Sequence, residues 1–279
     1  MTPDYETTAE KSAREYYNSE DADNFYYIIW GGEDLHLGIY DTPDESIFDA
    51  SRRTVQRMAE TLDKPLDANT QVVDLGAGFG GSARYLAKTY GCKVTCVNIS
   101  ERENERNRKM NREQGLDHLI DVVDGSFESV PLPDDYCDVV WSQDAILHSS
   151  DRDKVVQEIA RIVKPGGEVV FTDPMQSDNC SMSDLSPILA RINLETLGSP
   201  AFYLEAGRKH GLGEGEFTTL TPHLTRHYSR ILEETEANEG KLEGAVSQEY
   251  IDRMKTGLGH WIEGGKQSNL AWGIFHFKK

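Results

Sequence analysis

Residues 72–87 read VVDLGAGFGGSARYLA. Two β-branched residues run into an acid, glycines follow at Gly76, Gly78, Gly80 and Gly81, and Ala83, Leu86 and Ala87 then recur at helical spacing. That order predicts strand, tight turn and helix. Glycine admits the positive φ of such a turn and lets backbone N–H groups come close to a ligand at a helix N-terminus. Gly76, Gly78 and Gly81 also meet the G-x-G-x-x-G spacing of a dinucleotide site, which is a weak signal by itself. Asp74 tips the balance. It stands two residues before the first glycine, where a carboxylate attracts an ammonium and repels a pyrophosphate. A cofactor carrying an amino-acid head is therefore expected at Asp74, Gly76 and Gly78.

The D-L-G-x-G-x-G run resembles the first motif of the class I S-adenosylmethionine (SAM) methyltransferases, in which the acid lies near the methionyl end of the cofactor. The remaining chain is consistent with that resemblance. Its 279 residues suit one large α/β domain with additions: an N-terminal helix and lid over 1–45, a cofactor-binding core over 46–174, and a substrate-side insertion with the end of the sheet over 175–279. Lys and Arg number 29 against 48 Asp and Glu, a formal charge of −19, which argues against nucleic acid or an anionic membrane as partner. No apolar run of membrane-spanning length and no signal-like N-terminus is present, so a cytoplasmic protein is expected. Cysteines lack C-x-x-C spacing, no H-E-x-x-H occurs, and no metal is expected.

Along the chain, 7–17 reads as a short polar helix. FYYIIWGGEDLHLGIYD at 25–41 then concentrates aromatics around Gly31 and Gly32. It is either a hydrophobic anchor or a lid whose Tyr26, Tyr27 and Trp30 offer faces to a cation. An amphipathic helix follows over 46–63. KVTCVNIS is a strand ending at Asn98, and Ser100 with Glu103 has the spacing of a capping box. Strand ends at this distance from the glycines commonly hold an acid for ribose hydroxyls, and Asn98 occupies that place here. LIDVVDGSF brings Asp124 and Ser126 to the next strand end, the acid suited to an adenine amino group, with Phe127 or Ile99 beside the ring. YCDVVWSQDAILHSSD places Gln143, Asp144 and His148 at the end of the fourth strand, near the reacting group, because ligands gather at carboxyl ends of strands in doubly wound sheets. GEVVFTD continues to Met175, a candidate substrate contact together with Tyr26 and Tyr27. Arg191, on a mainly apolar segment, is either a snorkelling surface residue or a receptor for a small carboxylate. Arg226, His227 and Tyr228, on a late helix, read as surface positions and second-choice substrate contacts. LAWGIFHF closes the chain as an antiparallel last strand.

Taken together, YYIIWGGEDLHLGIYD, VVDLGAGFGG, CVNIS, VWSQDAILHS and ILARINLETLGS are similar to the sarcosine/dimethylglycine N-methyltransferase family of glycine betaine synthesis, over residues 12–212. The resemblance implies a Rossmann-like, doubly wound, mostly parallel sheet with a lid and helical insertions. It also implies SAM as methyl donor, sarcosine and dimethylglycine as substrates, and a role in osmoprotection. His148 or Asp144 would relay the proton that a secondary amine loses on methylation. Methylation of another small acceptor, such as a phosphoethanolamine-type amine or a ring carbon, and a SAM-binding module without turnover stand as alternatives.

Overall fold

The computed structural model describes residues 7–30, 32–190 and 194–279. The stretch that opened the sequence forms β1 (Gln71–Leu75), a glycine turn and, after α1 (Thr8–Tyr17), α2 (Glu20–Ile29) and α3 (Ile47–Thr61), the fourth helix, α4 (Gly81–Tyr90). Alternating units follow: β2 (Lys93–Asn98), α5 (Glu101–Glu113), β3 (Ile120–Asp124), β4 (Cys137–Gln143), a single 3-10 turn over Ile146–His148, α6 (Arg152–Ile162) and β5 (Val163–Thr172). Val72, Val73, Val94, Val97, Val140 and Val170 are fully buried, as strands covered on both faces require. The second half adds β6 (Met175–Gln176), α7 (Met182–Leu189), α8 (Pro200–Lys209), β7 (Glu216–Thr219), α9 (Thr221–Ala237), α10 (Glu239–Leu242), α11 (Gln248–Lys266), β8 (Leu270–Ala271) and β9 (Gly273–Lys278).

Seven strands lie in the order β3-β2-β1-β4-β5-β9-β7. The pairs among β1 to β5 are parallel, while β9 runs antiparallel to both β5 and β7. The doubly wound sheet with an antiparallel last strand is thus present. LAWGIFHF, however, is divided: β8 pairs with β6 in a separate two-stranded sheet, and the break falls at Trp272. There the indole leaves the strand pattern to donate to an Asp144 carboxylate oxygen at 2.8 Å.

Above the strand ends, α2, α7, α9 and α11 enclose a second apolar cluster that includes Phe25, Tyr26, Trp30, Tyr228, Trp261 and Trp272. The aromatic stretch is accordingly a buried anchor for most of its rings. Tyr27 differs, with 47% of its surface exposed. His227 and Tyr228, expected at the surface, are buried at 0% and 3% exposure. They face inward because α9 packs against the segment 36–40. His227 Nδ1 accepts from the Gly38 N–H at 3.0 Å and lies 3.0 Å from the Tyr40 hydroxyl.

Candidate active site

The turn after β1 holds Gly76, Gly78 and Gly80 at φ of +72°, +51° and +76°. Space is as restrictive as backbone: a Cβ at Gly76 would stand 2.3 Å from that of Ala145, and one at Gly81 would stand 2.1 Å from Asp34 Oδ1. Gly80 caps α4 without a side-chain hydrogen bond. The result is a cavity floored by backbone at the carboxyl ends of β1, β2 and β4 and roofed by residues from α1 and the segment 33–36.

At the β1 end, Asp74 and Gln143 face the same space. Burial pushes the Asp74 carboxyl up to about 7, with His36 opposing and Asp34 reinforcing the shift. No donor among the described residues hydrogen-bonds to it. Gln143 Oε1 accepts from the Trp141 indole at 2.8 Å and from the Ser82 hydroxyl, which orients the amide. Its Nε2 remains buried without an acceptor among the described residues. A buried acceptor and a buried donor, both unmatched, are complementary to a ligand that brings an ammonium and a carboxylate. The roof adds a charge network. Burial pushes the Asp34 carboxyl up, but His36, Arg52 and Arg84 outweigh it and hold the group below its ordinary value. His36, lowered by burial, is raised overall by Asp34 and Asp144.

At the β2 end, Asn98 Nδ2 donates to Glu103 Oε2 at 2.9 Å. Ser100 does cap α5 by accepting the Glu103 N–H, yet the Glu103 side chain turns to Asn98 and into the cavity instead of completing a capping box. Burial pushes its carboxyl up to about 7. The acid absent from the strand end is therefore supplied five residues later, from the first turn of α5. Ile99 and Phe127 add apolar wall.

The third side is closed by Tyr17, Leu35, Asp144 and His148. The Tyr17 hydroxyl lies 2.8 Å from His148 Nε2, with the rings edge-on at 5.3 Å. Asp144, at φ +53°, is engaged at both oxygens: Oδ2 accepts from the Leu37 N–H at 2.6 Å and Oδ1 from Trp272. Burial raises its pKa, while His36 and these hydrogen bonds oppose the shift.

Of the residues singled out from sequence, Asp74, Gly76, Gly78, Asn98, Ile99, Phe127, Gln143, Asp144 and His148 meet around this cavity. Tyr26 packs between Tyr17 and Trp30, with ring centroids at 6.0 and 4.9 Å. Other positions stand apart from the wall. Asp124 turns outward to Arg108 and Asn104, Ser126 accepts from the Glu128 N–H, and Met175 is buried beside Ala271 in strand pairing. Tyr27 lies beneath the Arg106 guanidinium on the outer side of α2, 4.6 Å from ring to cation. Arg191 lies outside the described residues. Sequence reasoning missed Tyr17, Leu35, His36 and Glu103. Only Glu103 left a signal, as one of two acids, with Glu101, in the first helical turn after the neutral Asn98. Away from the cavity, Asp63, Glu168 and His276 bring ligand atoms within 4.8 Å of one another, but His276 already bonds Glu168 at 2.7 Å and Lys278 bonds Asp63.

Residues 73–171 match a family model described as a methyltransferase domain. The chain is 56% identical over 279 residues to the sarcosine/dimethylglycine N-methyltransferase of Halorhodospira halochloris, with 100% of both chains covered. It is also 56% identical over 269 residues to the protein of the same name from Aphanothece halophytica, covering 96% of this chain and 97% of that one. A solved structure from Galdieria sulphuraria, described provisionally as a sarcosine dimethylglycine methyltransferase, matches with a TM-score of 0.89 and 39% identity over 95% of this chain and 98% of that chain.

Proposed function

Because the chain belongs to the sarcosine/dimethylglycine N-methyltransferase family, we propose that it moves the methyl group of SAM to the amine nitrogen of sarcosine and then of dimethylglycine, giving glycine betaine. The observation that carries this reading is 56% identity to such an enzyme along the whole of both chains. Bound SAM supplies a methyl group already activated by the sulfonium, so the protein's part is alignment and the exclusion of water.

Asp74 and Gln143 fit the two ends of the methionyl head, the carboxylate facing the ammonium and the amide facing the carboxylate. Glu103, with Asn98 beside it, offers a carboxylate to the ribose hydroxyls, while Ile99 and Phe127 flank the base. Tyr17 and His148 close the reacting side. Sarcosine must lose its N–H proton on methylation, and the His148 imidazole beside the Tyr17 hydroxyl is the group suited to take it. Dimethylglycine has no such proton and needs only its lone pair held in line. Asp144, with both oxygens occupied, holds the Leu37 backbone and Trp272 in place. Tyr26, next to Tyr17 and backed by Trp30, adds an aromatic ring on the side where a methylated nitrogen would gather charge.

The test is incubation with SAM and, separately, glycine, sarcosine, dimethylglycine and phosphoethanolamine, with products identified by mass. Methylated products from sarcosine and dimethylglycine are expected. Their absence, with product from phosphoethanolamine alone, would overturn the substrate assignment.

A further inference from the structure

His148 is carried by one turn of three residues, Ile146–His148, and a turn that short has little stiffness of its own. Its backbone is held from outside. The Leu147 N–H donates to Asp173 Oδ1 at 2.9 Å, and the Leu147 carbonyl accepts from Arg152 at 2.7 Å. Asp173 is itself fixed by the Tyr203 hydroxyl at 2.6 Å. On the far side of the turn, Glu128 accepts from the Ser149 hydroxyl at 2.6 Å and the Ser150 N–H at 2.9 Å.

Arg152 differs from the other supports because it bonds the backbone carbonyls of two segments at once. The nitrogen that bonds the Leu147 carbonyl also donates to the Thr196 carbonyl at 2.6 Å, and the second terminal nitrogen donates to the Thr196 hydroxyl at 3.0 Å. Thr196 belongs to residues 194–199, which lead into α8 and are tied to β6 by the Gln176 N–H to Gly198 carbonyl bond at 3.0 Å. Leu147 and Leu197, one from each segment, enter the same apolar cluster as Tyr26 and Trp30. A residue that is 8% exposed thus bridges the turn bearing His148 and a segment packed into the cluster of Tyr26 and Trp30. Two N–H groups of one guanidinium nitrogen meet both carbonyls while the other terminal nitrogen holds the Thr196 hydroxyl, a planar set of three bonds from two nitrogens that the single, tetrahedral nitrogen of a lysine ammonium does not reproduce.

We propose that Arg152 is a positioning residue that locks the His148 turn to the segment 194–199, so that His148 and the amine substrate are set in register by one side chain. This rests on the reading of His148 as the group facing the amine. The consequences are separable. Arg152→Met and Arg152→Lys should leave SAM affinity within about twofold, because the Arg152 hydrogen bonds among the described residues go to Leu147 and Thr196 and not to the cofactor end of the cavity, yet raise KM for sarcosine and dimethylglycine about tenfold or more. The rate at saturating amine should fall more for sarcosine, whose proton must reach His148, than for dimethylglycine. Hydrogen exchange supplies a readout that needs no turnover: peptides covering 145–150 and 194–199 should lose protection together in both variants, while those covering 72–81 stay as in the wild type. Wild-type KM values in the folded variants, or loosening of only one of the two segments, would overturn the proposal. Joint loosening of both segments in a chain whose wild type methylates neither amine would support the lock and overturn the substrate reading alone.

Discussion

Asp74 and Glu103 are two carboxyls held in a cavity that raises both to about 7, and neither has a cationic partner within hydrogen-bonding reach among the described residues. A site that keeps such groups does so for what a ligand brings. Asp74→Ala should therefore weaken SAM binding by removing the partner of its ammonium. Gly78→Val should do the same by forcing a branched side chain to φ +51° against Leu35, whose Cδ1 would lie 3.1 Å from the new Cβ. Calorimetry on both variants checks this, and unchanged affinity in both would remove the cofactor from this turn. Glu103 makes a different prediction, one of sign. Its folded-state pKa is above its ordinary value, so the native state binds the proton more tightly and stability falls as pH rises from about 4.5 to about 7, then stays reduced. Glu103→Gln removes that penalty, on the order of 3 kcal/mol if the whole shift is converted at 1.36 kcal/mol per unit. The ligand-free variant should melt higher than wild type at pH 8 and alike at pH 5, while binding SAM less tightly. Equal melting at pH 8 would mean that the carboxylate is already compensated.

At the scale of elements, the segment 36–40 explains why the aromatic stretch reads both as anchor and as lid. Its backbone is pinned by Asp144 at Leu37, by His227 at Gly38 and by His223 at Tyr40, while Thr54 donates to the Leu37 carbonyl. Burial lowers the His227 pKa to about 3, with His36 adding to the shift, so the ring is neutral and its Nδ1 lone pair is free to accept. His227→Leu should leave the Gly38 N–H and the Tyr40 hydroxyl without that acceptor. The expected loss is about 1–3 kcal/mol for each donor left buried, read by chemical denaturation, together with faster hydrogen exchange confined to 36–40. Loss of stability without local exchange would make His227 a packing residue only. Such a clamp is invisible to a linear reading, because it joins positions 189 residues apart. The glycine turn, the strands and the helices read at 7–17 and 46–63 were legible because their signals are local: β-branched runs, closely spaced glycines and apolar residues at helical spacing. Glu103 was misread for an equally physical reason. Ser-x-x-Glu spacing is the same whether the acid folds back on the cap or, drawn by Asn98, into a cavity.

The whole molecule joins a sheet that supplies the cofactor end of the cavity to a helical cap that supplies its roof, and both are built from a strongly acidic chain. With 48 acids and 29 Lys and Arg, nineteen acids would stay unmatched even if every Lys and Arg took one partner, 48 minus 29. Buried pairs such as Arg106 with Asp23 and Arg52 with Asp34 use part of the positive charge where salt reaches it poorly. The remaining surface repels itself, which disfavours the compact state. Raising salt from about 0.05 M to about 1 M shortens the screening length to about 3 Å. Repulsion spread across the surface should then weaken more than the short ion pairs do. The melting temperature at pH 8 should rise by several degrees, given that about 1 kcal/mol moves it by roughly 2–4 °C in chains of 150–250 residues. Near the sequence pI of about 4.8 the same addition should do much less, because the excess negative charge is titrated away. Melting curves at both pH values, with sodium chloride compared against a neutral osmolyte, separate screening from general exclusion of solute. A melting temperature that falls with salt at pH 8 would mean that attractive pairs, such as the Arg53 fork on Glu45 with nitrogen to oxygen distances of 2.7 and 2.5 Å, outweigh the repulsion.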